Sequence, residues 1–432
     1  MTGDGTVLTA GAGRAEVELP PGLLPWEGFT SVRDPLCVRV AVLDDGVTRL
    51  AVVVIDQTSV FDDQIDRTRQ VVHRVCAVQP PDCLVVASHT FSAPHVLPPD
   101  RVPEEGVRKN TLLADAVHDA VVRAATLAAH TMRAARIGFG RGRCAVNVQR
   151  DVPTPDGWWL GADTEGETDD SVGVLRVDDL DGRPVALLVN FAVQSSVLKD
   201  ATTRTGGREV SADLAGAAVR RIEARYGDGT VALFLIGAAG DQAPRPVAAP
   251  AAPGPGGTEP RPRQPPRDAC EALDLLAERL ADTAVRVSDG IGTAPLAVPL
   301  RVVHDRVRVP AQKPPAGLDA LRPSTRYAFE PDGTAEAPLV VVRIGDTVLA
   351  GVQAELNART GLAVRRASPF PRTCVVTMVN GAAKYMADQG SYDRITYEAM
   401  NSRYGRGAAE TVAGRIVGIL RSLAAADGTA DA

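Results

Sequence analysis

The spacing of apolar and polar positions predicts strands and helices that follow one another along the chain. Residues 36–43 alternate, and after a turn at 44–46 residues 49–55 form an apolar run, which predicts a hairpin with a buried second strand. Helical spacing over 62–79 and another apolar run at 83–87 complete a strand–helix–strand unit. This order is typical of α/β domains, in which ligands bind beyond the carboxyl ends of strands.

Similar patterns continue through the rest of the chain. Further helices are predicted at 111–132, 210–226, 269–287 and 407–425. Further strands are predicted at 135–148, 171–178, 184–193, 230–237, 296–303, 338–351 and 373–379. We therefore expect one α/β domain over 1–425, with a mixed sheet and flanking helices. The Pro/Ala/Gly-rich residues 245–268 are predicted to form a flexible loop, and 426–432 a disordered tail.

Composition and charge exclude several classes of function. The chain has 432 residues and a net charge of -6 without a basic run, so no nucleic-acid partner is expected. The chain starts without a signal-peptide pattern and has no apolar stretch of membrane-spanning length. We therefore expect a cytoplasmic protein without a membrane role. The six scattered cysteines form no CxxC pair, which disfavours a zinc finger or a disulfide framework. The abundance of Ala, Val and Arg is typical of a high-GC bacterial gene.

Two histidines differ from the other four in following a buried strand. His89 and His95 flank the turn after residues 83–87, among serine and threonine residues. Polar clusters at this place in an α/β sheet are typical of functional sites. The other histidines lie on predicted helices or beside a strand, where solvated or packed side chains are expected.

Five more polar residues are candidates because of where they lie. Asp56 follows a buried strand and either caps a helix or orients a histidine. Asp241 either caps a helix or forms a turn. Glu355 leaves an apolar strand and can bind a metal or act as a base. Gln194 ends another apolar run, and Tyr385 belongs to a cluster of tyrosines of which one or two are expected to line a pocket.

Several short motifs occur in a fixed order along almost the whole chain. They lie at 11–22, 34–46, 55–56, 88–94, 144–150, 170–177, 190–192, 211–216, 240–241 and 380–381. Their order resembles that of the catalytic domain of neutral and alkaline ceramidases and their short bacterial relatives. For example, Ser-His-Thr-Phe-Ser-Ala-Pro at 88–94 is similar to the family's His-Thr-His-Ser-Gly/Ala-Pro signature. The resemblance implies the ceramidase catalytic-domain fold without the C-terminal immunoglobulin-like domain.

The resemblance also implies an amidohydrolase site with one zinc, held by two histidines, a glutamate and a tyrosine. His89 matches the first histidine and Glu355 the glutamate, while Tyr385 matches one of two family tyrosines. Which of those two tyrosines serves the metal stays open. Four positions depart from the family pattern: Phe91, Gln194, Ala243 and Ala382. Gln194 stands in place of the second zinc histidine, and an amide is a poor zinc ligand beside imidazole.

These observations predict an enzyme with a remodelled active site. Its predicted catalytic residues are His89, Asp56, Tyr385, Asp241 and Gln194, and His89 and Glu355 form an incomplete zinc-ligand set. The expected reaction is hydrolysis, acyl transfer or condensation at an amide or acyl bond of a small polar molecule, in a bacterial biosynthetic pathway. The alternative is an inactive protein of the same fold that binds a small molecule or a partner. The substrate and the oligomeric state stay open.

Overall fold

A computed structural model of the chain describes residues 7–204, 206–246, 266–294 and 298–428. Its strands are β1 (Thr9–Glu16), β2 (Phe29–Val32), β3 (Cys37–Asp44), β4 (Arg49–Ile55), β5 (Cys83–Ala87), β6 (Arg133–Arg143), β7 (Asn147–Thr154), β8 (Gly157–Asp163), β9 (Ser171–Asp179), β10 (Pro184–Phe191), β11 (Arg208–Val210), β12 (Val231–Ile236), β13 (Gln242–Pro244), β14 (Leu300–Gln312), β15 (Pro331–Ile344), β16 (Thr347–Val352), β17 (Glu355–Leu356), β18 (Arg372–Val376) and β19 (Tyr385–Met386). Its helices are α1 (Asp62–Cys76), α2 (Val107–His130), α3 (Asp213–Tyr226), α4 (Pro266–Asp289), α5 (Ala358–Ala367), α6 (Gln389–Arg394), α7 (Tyr397–Met400) and α8 (Ala408–Gly428).

The largest sheet has eight strands in the order β12-β10-β9-β6-β1-β3-β4-β5. The two outer pairs, β10 with β12 and β4 with β5, are parallel, while the inner pairs are antiparallel. The predicted hairpin is β3 and β4, and its turn is closed by Asp44 Oδ1, which accepts a hydrogen bond from the Gly46 amide at 2.8 Å. The predicted α/β class, with a mixed sheet and flanking helices, is confirmed.

Apolar side chains on the two faces of this sheet enter two different cores. One face packs against α1, α2, α3 and α4. Within that layer α2 lies very close to β1, because a Cβ at Gly13 would be 2.2 Å from the Ala124 carbonyl oxygen. Only glycine allows this approach of helix backbone to strand backbone.

The other face packs on a second sheet, of order β14-β15-β16-β18. Val52 and Leu84 of the large sheet share a core with Val342 and Leu349 of the small one. The far side of the small sheet is covered by α5 and α8. The layers are thus helix, sheet, sheet and helix, which explains why both central sheets contain long apolar runs.

Some predicted boundaries are wrong, for local backbone reasons. The predicted strand 338–351 is two strands, β15 and β16, because the chain turns at Gly345 with φ of 58°. The helix predicted over 62–79 ends at Cys76, because Ala77 takes a left-handed φ of 56°. Of the predicted loop, residues 247–265 lie outside the described residues, as do 429–432 of the predicted tail. Within the described ranges, every helix is too short or too polar to cross a membrane.

Candidate active site

The ends of several strands bring four predicted residues together. His89 follows β5 and Gln194 follows β10, and a bridge between Thr90 and Ser195 joins the two turns. Glu355 begins β17, where it pairs in parallel with Tyr385 of β19. The group therefore combines residues from the large sheet with residues that follow the small one.

His89 is held on both sides of its ring. Its Nδ1 lies 2.6 Å from the Thr58 carbonyl oxygen, and its Nε2 lies 3.2 Å from Glu355 Oε2. A carbonyl only accepts, so Nδ1 carries a hydrogen, and the bond from Nε2 to Glu355 needs a second one. The geometry of the pair therefore allows a proton to pass between Nε2 and Oε2. His89 also has a left-handed φ of 62°, a strained conformation of the kind found at functional sites.

Gln194 connects this pair to a buried arginine. Its Nε2 donates to Glu355 Oε2 at 3.3 Å, and its Oε1 accepts from Arg150 Nη1 at 2.8 Å. These two partners fix the orientation of the amide, since a guanidinium only donates and a carboxylate only accepts.

Arg150 lies at the centre of a buried cluster of aromatic and acidic side chains. Its Nε donates to Glu398 Oε1 at 2.7 Å. The guanidinium carbon lies 5.2 Å from the centre of the Tyr385 ring and 5.8 Å from that of Tyr397. Burial opposes its charged form, but the Tyr385 oxygen, which accepts a hydrogen bond from it, and the Glu398 carboxylate more than offset this, so the pKa of Arg150 lies well above its ordinary value. Burial raises the pKa of the Tyr385 phenol, which therefore keeps its proton.

The next residue, Asp151, reaches the same glutamate. Consecutive strand residues normally point to opposite faces, but the pairing of β7 with β8 shifts register between Gln149 and Asp151. Burial and the neighbouring Glu398 raise the pKa of Asp151 to about 10. A protonated Asp151 can share its hydrogen with Glu398, while Glu398 remains the ion-pair partner of Arg150.

Two solved structures match the chain over nearly its whole length. Neutral ceramidase from Pseudomonas aeruginosa has a TM-score of 0.71 and 17% identity, over 96% of this chain and 74% of its own. A ceramidase complexed with C2 has a TM-score of 0.70 and 18% identity, over 95% of this chain and 74% of its own. The chain has the neutral ceramidase fold. No protein-family model and no curated protein matches it.

The ceramidase fold predicted from the motif order is thus confirmed, and the departures from the ceramidase pattern can be located. Phe91 lies beside the imidazole of His89, with ring centres 4.7 Å apart, and Lys199 Nζ lies 5.3 Å from the Phe91 ring. Ala243 pairs with β7, and Ala382 packs against the core.

The arrangement of donors does not fit zinc, the metal implied by the ceramidase resemblance. Zinc needs three or four converging ligands. No group of three or more His, Cys, Asp or Glu side chains in the described part of the chain is placed to hold a metal ion. Gln194 turns its N–H toward Glu355, and Tyr385 hydrogen-bonds Arg150. His95 lies 2.8 Å from Glu27 Oε2 and pairs with it.

Two of the predicted catalytic residues, Asp56 and Asp241, hydrogen-bond to groups outside the His89–Glu355 pair. Asp56 accepts from the Cys37 amide at 2.9 Å and lies 3.3 Å from Arg39, in a buried network. Asp241 accepts from the amide of Ala358, the first residue of α5, at 2.8 Å, so it caps a helix that is distant in sequence. Burial raises the pKa of Asp241 to about 6. The partners of His89 are instead Thr58 and Glu355.

Sequence reasoning missed three buried members of the cluster: Arg150, Asp151 and Glu398. Arg150 ends the 144–150 motif, which is the one signal that pointed to it. Asp151 and Glu398 show no pattern of their own, and Tyr397 was predicted only as part of the tyrosine cluster. The Arg150–Glu398 contact joins residues 248 positions apart, which local spacing does not predict.

Proposed function

We propose that the chain is an enzyme that cleaves or forms an amide or acyl bond of a small polar metabolite, at the site around His89. The observation that carries this proposal is the His89–Glu355 pair, held at 3.2 Å beside the buried Arg150 guanidinium. Neighbouring histidine, carboxylate and cation supply proton transfer and charge stabilisation, which acyl chemistry needs. The polar surroundings of the pair favour a polar substrate.

Proton transfer falls to the pair itself. The pair can take a proton from the attacking water or other acyl acceptor and deliver that proton to the leaving nitrogen or oxygen, which returns the pair to its starting state. The Thr58 carbonyl keeps Nδ1 protonated and leaves Nε2 as the exchanging atom. With water as acceptor the reaction is hydrolysis, and with an amine or alcohol it is acyl transfer or condensation.

Charge stabilisation falls to Arg150 and Tyr385. Their raised pKa values keep both side chains protonated, so both are donors. A tetrahedral oxyanion next to them would be stabilised in a site that excludes water, where such donors are most effective. Gln194 holds the guanidinium in place through its Oε1 at 2.8 Å.

The test is a screen of N-acyl and O-acyl small molecules, with amine and acid release followed by fluorescence and transfer products by mass spectrometry. We expect turnover by the wild type and a loss of roughly 100- to 10,000-fold in kcat for His89→Ala and Glu355→Gln. His73→Ala is the matched control, since His73 is exposed on α1 and should leave kcat unchanged. Equal kcat in wild type and His89→Ala would refute the role of the pair.

The second candidate is an inactive protein that binds a small molecule, and the burial of the site favours it. His89, Gln194 and Glu355 are only 2%, 3% and 6% exposed. If no acyl compound is turned over and a ligand binds wild type and His89→Ala equally well, the binding protein is the better account.

A further inference from the structure

A cavity of about 110 Å³ is lined by Asp151, the residue that follows Arg150, and we refer to it as the Asp151 cavity. Five of its lining residues are acidic: Asp151, Asp163, Glu167, Asp241 and Asp388. Two are basic, Arg359 and Arg394, and the indole of Trp158 forms part of the wall. We infer that this cavity binds the ammonium group of a small primary amine.

The charges lining the cavity do not balance. Arg359 is taken by Glu167, with Nε to Oε2 at 2.8 Å. Asp241 and Asp388 receive hydrogen bonds from neutral amides and a hydroxyl. The remaining cation, Arg394, stays 3.8 Å from Asp151. More negative than positive groups therefore face the space, and a bound cation would relieve the imbalance.

Asp151 supplies a second and independent observation. Its side chain is 2% exposed, and among the described residues no donor hydrogen-bonds either oxygen apart from the proton it shares with Glu398. Buried carboxyl oxygens normally find donors. Arg394, whose Nε also has no hydrogen-bond partner among the described residues, stays beyond hydrogen-bond distance, and an ammonium in the cavity would supply the missing donors.

The protonation of the lining agrees with this inference. Burial raises the pKa of Asp151 to about 10 and that of Asp241 to about 6. The groups facing Asp151 are Glu398 on α7, Asp241 after β12, Arg150 on β7 and Arg394 on α6. A cation that binds here would favour the ionised carboxyl and would expel the proton.

An organic cation fits better than a metal ion. The carboxyls of the described residues do not converge as three ligands around one point. An ammonium needs only separate hydrogen-bond acceptors, and Trp158 offers an apolar wall to the carbon chain. The cavity has room for more than one water molecule, which suits an amine of a few carbon atoms. The inference does not depend on the reaction proposed above.

The test is titration calorimetry with putrescine and n-butylamine near neutral pH, with butanol and calcium chloride as comparisons. We expect both amines to bind with one site and butanol and calcium not to bind. The heat should depend on the buffer, because binding releases a proton from Asp151. Asp151→Asn, which stays neutral like protonated Asp151, should weaken binding at least tenfold and abolish proton release. The exposed Asp156→Asn is the matched control and should bind like the wild type.

Three results would overturn the inference. They are no saturable heat with either amine up to about 10 mM, equal affinity for amine and butanol, and binding of calcium in place of the amines. If Asp151→Asn does not fold, the buffer dependence measured on the wild type still decides, because binding without proton release contradicts a role for protonated Asp151.

Discussion

At the scale of single residues, Gln194 determines the hydrogen bonding of Glu355 and Arg150. Its amide donates to Glu355 and accepts from Arg150, so it ties the carboxylate to a guanidinium. An imidazole at this position could turn a nitrogen lone pair toward the space between His89 and Glu355, which the amide nitrogen of Gln194 cannot do. The identity of this side chain therefore decides between a hydrogen-bonded site and a metal site.

Gln194→His should raise zinc binding. We expect the wild type to retain less than about a tenth of an equivalent after dialysis, and the variant to approach about one equivalent, because His89, Glu355 and the new histidine give three zinc ligands. Elemental analysis of the dialysed proteins measures this. Gln353→His, outside the site, is the control and should behave like the wild type. Stoichiometric zinc in the wild type would contradict the prediction.

The protonated Asp151 should make stability depend on pH. Its folded pKa of about 10 lies above the ordinary 3.8, so its contribution to the free energy of unfolding is full below about pH 4. That contribution falls as the pH rises toward 10. Asparagine has no such dependence. As the pH rises, the free energy of unfolding of Asp151→Asn should therefore increase relative to that of the wild type by up to about 1.4 kcal/mol per pH unit.

Urea unfolding between about pH 5 and pH 9 measures this difference. Asp156→Asn, at an exposed turn, should show no such trend. A wild-type-to-variant difference that is constant with pH would mean that Asp151 is ionised in the folded protein.

At the scale of elements, β1 and α2 pack so closely that one added methyl group tests the contact. A Cβ at Gly13 would meet the Ala124 carbonyl oxygen at 2.2 Å and the Ala128 nitrogen at 2.7 Å, and neither backbone atom can move alone. Gly13→Ala should therefore lower the free energy of unfolding by about 2 kcal/mol or more.

Gly414 is the matched control for that change. It lies exposed within α8, and an added Cβ would meet nothing within 4 Å. Gly414→Ala should raise the free energy of unfolding by about 0.5–1 kcal/mol, because alanine favours a helix. Urea midpoints measure both variants, and equal effects of the two would contradict the close packing of β1 on α2.

Elements with strong local patterns could be predicted from sequence, and those defined by long-range contacts could not. The run at 83–87 is β5 residue for residue, because it is apolar and bounded by polar residues. The two-residue strands β17 and β19 carry no pattern, yet they place Glu355 beside Tyr385. His89 and Gln194 were found because they end apolar runs, whereas Glu398 is 0% exposed on a four-residue helix and gave no signal.

At the scale of the whole molecule, the two sheets are joined by polar contacts as well as by a shared core. Asn190 of β10 donates to the Leu235 carbonyl of its own sheet at 3.0 Å and to the Val375 carbonyl of the other at 2.9 Å. Asn380 pairs with Val85 of β5 through two hydrogen bonds. We therefore expect the chain to behave as one cooperative unit.

Unfolding in urea should give coincident transitions by far-ultraviolet circular dichroism and by tryptophan fluorescence. Asn190→Ala should move both transitions together to lower urea, with a loss of about 1–3 kcal/mol, because it leaves carbonyls of two sheets without a donor. Two separate transitions in the wild type would contradict the single unit.

The origin of the His89–Glu355 pair has a consequence for the assembly of the molecule. His89 leaves the large sheet and Glu355 follows the small one, so the 3.2 Å contact between their side chains spans the boundary between the two sheets. The pair therefore forms only when both sheets are folded and docked on each other, and neither sheet holds it alone.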